Sequence, residues 1–81
     1  MPKTRATAEA IRDEIQRRIR TSDELDGDCR NAGAPTPIAA DPTANNGCNW
    51  TITVLPNRIA GCDSLVIRIT QEVMLQYDLV E

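Results

Sequence analysis

The chain has no histidine, no phenylalanine, one tryptophan and one tyrosine among its 81 residues. Imidazole is the side chain most often used for proton transfer near neutral pH and for binding catalytic metals. Its absence excludes Ser-His and Cys-His nucleophile pairs and the histidine-based zinc and iron sites. We therefore expect a protein that is not an enzyme and that needs no cofactor or metal.

Positive charge and long apolar runs are also scarce. Nine basic residues stand against twelve acidic ones, which gives a net charge of −3. That balance opposes binding to nucleic acid or to an anionic membrane. No apolar run approaches the roughly 20 residues that cross a bilayer. Residues 1–6 carry no apolar segment behind their charges, so no secretory signal is visible. We expect a cytoplasmic location, with neither nucleic acid nor membrane as a partner.

The chain is long enough for one domain, which we place at residues 1–81, with residues 1–6 disordered. Apolar residues make up 41% of the chain and aromatic residues only 2%, so the core must consist largely of Ile, Val and Leu. Chains of this length often need a disulfide, a metal or a partner subunit to supplement a small core.

An amphipathic helix is predicted over about residues 7–20. Ile11, Ile15 and Ile19 recur at every fourth position, which is the spacing of one helical face. Thr4 or Thr7 is expected to cap the N-terminus of this helix. The narrow apolar stripe indicates that the rest of the helix faces solvent.

An antiparallel hairpin is predicted over about residues 36–55. Residues 36–40 form a short edge strand, and residues 49–55 alternate so that Trp50, Ile52 and Val54 share one face. Asn46 and Gly47 between them favour a tight turn. Trp50, the largest apolar side chain, is expected to anchor the core.

A second helix is predicted over about residues 63–79, with Asp63 or Ser64 as its cap. Its apolar residues are more numerous than one packing contact requires. One face of the helical wheel carries Val66, Ile69, Val73, Tyr77 and Val80, and further flanks carry Leu65, Ile67, Met74, Leu75 and Leu79. Residues 65–69 could instead form a strand, because β-branched residues favour that state.

These elements predict an α+β fold of two layers, in the order helix, strand, strand, helix. A two-stranded hairpin is only marginally stable by itself. We expect it to pack its apolar face against both helices.

Three cysteines, Cys29, Cys48 and Cys62, are the principal reactive groups. They form no CxxC motif, and three thiolates leave a zinc site one ligand short. In a reducing cytosol we expect free thiols that act as small apolar fillers, with Cys29–Cys48 or Cys48–Cys62 pairing as the alternative. Cys62 is the candidate reactive thiol, because it lies at the predicted N-terminus of the second helix.

Two short motifs carry a resemblance. Gly47-Cys48-Asn49-Trp50 at the start of a strand, with Tyr77-Asp78-Leu79 at the end of a C-terminal helix, resembles small uncharacterised proteins of proteobacteria. The resemblance covers roughly the second half of the chain. It implies a bacterial cytosolic protein, and it brings no activity and no functional residue with it.

The leading functional hypothesis is a small protein–protein interaction module. The surplus apolar surface of the second helix, at Leu65, Met74, Leu75 and Leu79, predicts a homodimer or a complex with an unidentified protein partner. One alternative is a redox-responsive protein that uses Cys62. A second alternative is a nucleic-acid-binding accessory protein that uses the helix face with Arg12, Arg17, Arg18 and Arg20.

Overall fold

A computed structural model describes residues 3–22, 29–45, 47–52, 56 and 59–80. Within them the chain forms two α-helices and two short two-stranded sheets, which confirms the α+β class. In chain order the elements are β1 (Thr4–Ala6), α1 (Ala8–Arg20), β2 (Ile38–Ala39), a 3₁₀ turn (Pro42–Ala44), β3 (Trp50–Thr51), α2 (Asp63–Gln76) and β4 (Tyr77–Leu79).

Helix α1 follows the isoleucine stripe. Ile11, Ile15 and Ile19 are fully buried, and they direct the helix against α2 and β4. The Thr7 hydroxyl accepts a hydrogen bond from the Ala10 backbone N–H at 3.2 Å, which makes Thr7 the N-cap. Both the helix and its cap are therefore confirmed.

Helix α2 spans residues 65–69, so the alternative of a strand at that position is wrong. Val66, Ile69 and Val73 are buried on its inner face, as the helical wheel predicts. Cys62 occupies the N-cap position, without a side-chain hydrogen bond to the helix, in place of Asp63 or Ser64.

The end of α2 differs from the prediction. The helix stops at Gln76, and Tyr77 adopts an extended backbone with φ −129° and ψ 142°. Residues 77–79 then form β4, which pairs in parallel with β1 in the register Thr4↔Tyr77 and Ala6↔Leu79. The predicted helix is therefore three residues too long. Pairing with a distant segment outweighs the local helical pattern at this end.

The same pairing corrects the expectation for the N-terminus. Residues 4–6, predicted to be disordered, form strand β1, and Val80 N–H donates to the Ala6 carbonyl at 2.8 Å. A three-residue strand is too short to show a period of apolar residues. Its partner also lies more than 70 residues away, so no local pattern indicates the pairing.

Over the residues that the structure describes, the antiparallel hairpin is confirmed but is shorter than predicted. Strands β2 and β3 contain two residues each, paired as Ile38↔Thr51 and Ala39↔Trp50. Gly47 in the connection has a φ of 85°, a conformation that glycine adopts without strain. Asn46 of the predicted turn and Val54 of the predicted apolar face lie outside the described residues.

Trp50 anchors the core, as predicted. Its side chain is fully buried, and its indole N–H donates to the Tyr77 carbonyl at 3.0 Å. That bond satisfies the one polar group of a ring that is otherwise surrounded by apolar side chains. Trp50 therefore joins the hairpin to β4 as well as filling the interior.

Candidate functional site

Two of the three cysteines form a disulfide. Cys29 and Cys62 are bonded through their Sγ atoms, with Cα atoms 5.6 Å apart, and both are buried. The expectation of three free thiols is wrong, and so are the two alternative pairings. The pairing depends on how the loop after α1 folds back onto the start of α2, and the spacing of cysteines in a sequence does not contain that distance.

Cys62 is therefore not a reactive thiol in this structure. Its sulfur is held in a bond to Cys29, and the position at the start of α2, on which the prediction depended, has no thiolate to stabilise. Cys48 is the free cysteine, and it is buried.

The predicted interaction face is divided by the fold. Leu65 and Leu79 are only 5% and 7% exposed and belong to the core, so their assignment to an outer surface is wrong. Leu65 is one of the buried residues of α2, and Leu79 of β4 belongs to the same cluster of buried side chains. Met74 is partly buried, whereas Leu75 is 77% exposed.

A groove of about 430 Å³ lies beside Leu75. One side is formed by α2, where Ile67, Gln71 and Leu75 are four residues apart and therefore share a face. We call this groove, together with the exposed side chain of Leu75, the Leu75 face. Its lining residues are Lys3, Asn45, Cys48, Thr51, Ile52, Ile67, Thr70, Gln71, Met74 and Leu75.

The opposite side of the groove is held in place by Asn45. Its side-chain amide donates to the Cys48 carbonyl at 3.1 Å and to the Trp50 carbonyl at 2.7 Å. On α2, the buried Thr70 hydroxyl donates to the Val66 carbonyl at 2.8 Å, so the proton of this hydroxyl is already used within the helix.

The predicted arginine face is also divided. Arg12, Arg17 and Arg20 line a hollow on α1, but Arg18 turns away and donates to Glu14 and to Gln76. Glu14 also accepts two hydrogen bonds from Arg17. The bond from Arg17, helped by that from Arg18, lowers the pKa of Glu14 from 4.5 to about 2, against the opposing effect of burial.

No group of three or more Cys, Asp or Glu side chains is placed to hold a metal ion in the part of the chain that the structure describes. Among the described residues there is also no helix with the length and apolar character to cross a membrane. In comparisons with known proteins, no family model, curated protein or solved structure matches the chain.

Proposed function

We propose that this protein is a non-enzymatic protein–protein interaction module that self-associates through the Leu75 face. The observation that carries the proposal is the position of Leu75, which is 77% exposed at the edge of a groove that it lines with Ile67 and Met74. Burying a leucine side chain contributes about 1.5–3 kcal/mol. A contact that covers Leu75 therefore has a clear source of free energy.

The proposed occupant of the groove is a second copy of the chain. In a two-fold interface the same patch lies on both subunits. The patch must therefore contain both a protruding side chain and a recess that accepts the same side chain of the other copy. The Leu75 face has both features, since the leucine protrudes beside the groove. Among the described lining residues Lys3 is the one that carries a charge, and its ammonium group lies 3.6 Å from an Asp78 carboxylate oxygen. Two copies can therefore meet without bringing unbalanced like charges together.

Sedimentation velocity over a concentration series tests the proposal. We expect the wild type to pass from monomer to dimer between low and high micromolar concentration, and Leu75→Glu to stay monomeric throughout. Ile38→Glu is the matched control, because Ile38 is also exposed, at 43%, but does not line the groove. It should dimerise like the wild type.

Two results would overturn the proposal. One is a wild-type protein that remains monomeric at the highest concentration. The other is an equal loss of dimer in both variants, which would indicate a non-specific response to added charge. Leu75 is exposed, so its replacement should change the free energy of unfolding by no more than about 0.5 kcal/mol. Urea unfolding of Leu75→Glu checks that the fold is intact.

The other two hypotheses have less support. A redox role for Cys62 would require opening a disulfide whose two cysteines are both buried. Nucleic-acid binding by four arginines on α1 is weakened because Arg18 is engaged by Glu14 and Gln76. The Leu75 face needs no such rearrangement.

The disulfide also bears on location. A cytoplasmic location stays a prediction, but disulfides persist mainly in oxidising compartments. We therefore favour an oxidising compartment as the place where the protein works. Protein isolated from its native host under acid quench should show one alkylated cysteine after denaturation, and three after reduction. Three alkylated cysteines without reduction would support the cytoplasm instead.

A further inference from the structure

A second hollow, which shares no described lining residue with the Leu75 face, lies along α1. It measures about 670 Å³. Its lining residues are Arg12, Asp13, Gln16, Arg17, Arg20, Thr21, Gly33, Ala34 and Pro56. Among the lining residues that the structure describes, three guanidinium groups therefore stand against one carboxylate, in a chain whose net charge is −3.

Gln16 of α1 joins the helix to the segment of residues 32–34 on the other side of the hollow. The Gln16 side-chain amide donates to the Ala32 carbonyl at 2.9 Å, and its oxygen accepts from the Ala34 N–H at 2.9 Å. These two bonds hold the segment with Gly33 and Ala34 against α1. Gln16 therefore fixes the position of this one side of the hollow relative to α1.

The arginines differ in how far they are already engaged. Arg17 is oriented by Glu14, which accepts from its Nε and Nη2 at 2.9 and 2.7 Å. Arg12 has an ion pair of 3.7 Å with its neighbour Asp13. Arg20 is exposed and makes no ion pair with any residue that the structure describes. One oriented guanidinium and one unengaged guanidinium thus border the same hollow.

We propose that this hollow binds the phosphate group of a small-molecule ligand, with Arg12, Arg17 and Arg20 as donors. A guanidinium presents its N–H groups in a planar fork that matches phosphate oxygens, and a phosphate dianion balances the excess charge of the lining. The described lining contains no aromatic side chain on which a base could stack. That composition favours a small phosphate ligand over single-stranded nucleic acid.

Titration with inorganic phosphate, followed by heteronuclear NMR at low ionic strength, tests the proposal. We expect saturable shifts of the Gly33 amide and of the Nε–H groups of Arg12 and Arg20, which matched additions of chloride do not produce. Arg20→Gln should weaken binding about tenfold, the equivalent of one charge-assisted hydrogen bond. Arg5→Gln, on β1 outside the hollow, is the matched control and should bind like the wild type.

The proposal is overturned by the absence of saturable shifts, or by equal weakening in Arg20→Gln and Arg5→Gln. A single-stranded oligonucleotide provides a further arm. Tight binding of the oligonucleotide through these arginines, without measurable binding of phosphate, would replace the small ligand with nucleic acid. Because Arg20 is exposed in the last turn of α1, its replacement should leave the thermal midpoint unchanged, and melting of the variant verifies this.

Discussion

The side-chain amide of Asn49 forms two hydrogen bonds with the backbone of Leu79. The Leu79 N–H donates to Oδ1 of Asn49 at 2.7 Å, and Nδ2 of Asn49 donates to the Leu79 carbonyl at 2.9 Å. Successive residues of a strand direct their backbone groups to opposite edges. Asn49 therefore satisfies one edge of β4, while β1 pairs with the other.

This relationship predicts the effect of removing the amide. Asn49→Ala leaves the backbone N–H and C=O of Leu79 without partners in a partly buried position. We expect the free energy of unfolding to fall by about 2–4 kcal/mol, since each unsatisfied group costs about 1–3 kcal/mol. Urea unfolding measures the change. Asn31→Ala, at an exposed position, is the control and should stay within about 0.5 kcal/mol. An equally small change at Asn49 would contradict the prediction.

The disulfide predicts a second stability effect. Cys29 and Cys62 are 33 residues apart, and a cross-link over that distance stabilises by about 3–4 kcal/mol in the chain-entropy model. The double variant Cys29→Ala/Cys62→Ala should lose that amount in urea unfolding, in addition to the loss of two small buried groups.

Cys48→Ala provides the comparison for this measurement, because Cys48 is also buried but has no disulfide partner. Losing one small buried group should cost on the order of 1 kcal/mol. If the double variant lost no more than twice that amount, the cross-link would contribute little to stability.

Glu14 predicts how stability depends on pH. Its pKa in the folded protein, about 2, lies below the ordinary value of 4.5, because Arg17 and then Arg18 bind the charged form. A lowered pKa means that the folded state holds the proton less tightly than the unfolded state. The resulting stability is present above about pH 4.5 and is lost as the pH falls from there through 2.

Glu14→Gln should remove that contribution. We expect the variant to unfold at lower urea concentration than the wild type at pH 6, and the two midpoints to converge as the pH approaches 2. Glu9→Gln, which removes an exposed acid in the first turn of the same helix, is the control for the loss of one negative charge. Parallel curves for the wild type and Glu14→Gln over pH 2–5 would refute the assignment.

Much of the helical structure was predictable from local pattern. The spacing of Ile11, Ile15 and Ile19 identified both α1 and its buried face, because 3.6 residues per turn place every fourth side chain on the same side. Asn49 and Leu79 show the limit of that approach. Asn49 belongs to the motif Gly47-Cys48-Asn49-Trp50 and Leu79 to the motif Tyr77-Asp78-Leu79. Each motif can be recognised in the sequence, but no pattern indicates that residues of the two are hydrogen-bonded to each other.

The candidate site was predictable only in part. Leu75 and Met74 were recognised as surplus apolar residues of α2, and they do border a groove. Leu65 and Leu79 looked the same in the sequence, but they are buried. Which apolar side chains stay outside depends on what the rest of the chain brings against the helix, and Leu79 moves into the core because β4 departs from the helical path.

The sequence by itself determined the two helices and the hairpin, because each depends on residues that are close to one another in the chain, and it determined the central place of Trp50 because this is the largest apolar side chain. Only the tertiary structure decided the β1–β4 pairing, the Cys29–Cys62 bond and the extent of the Leu75 face. Each of these joins segments that are far apart in the chain, and their approach is set by the packing of the whole core. Local spacing contains no information about that packing.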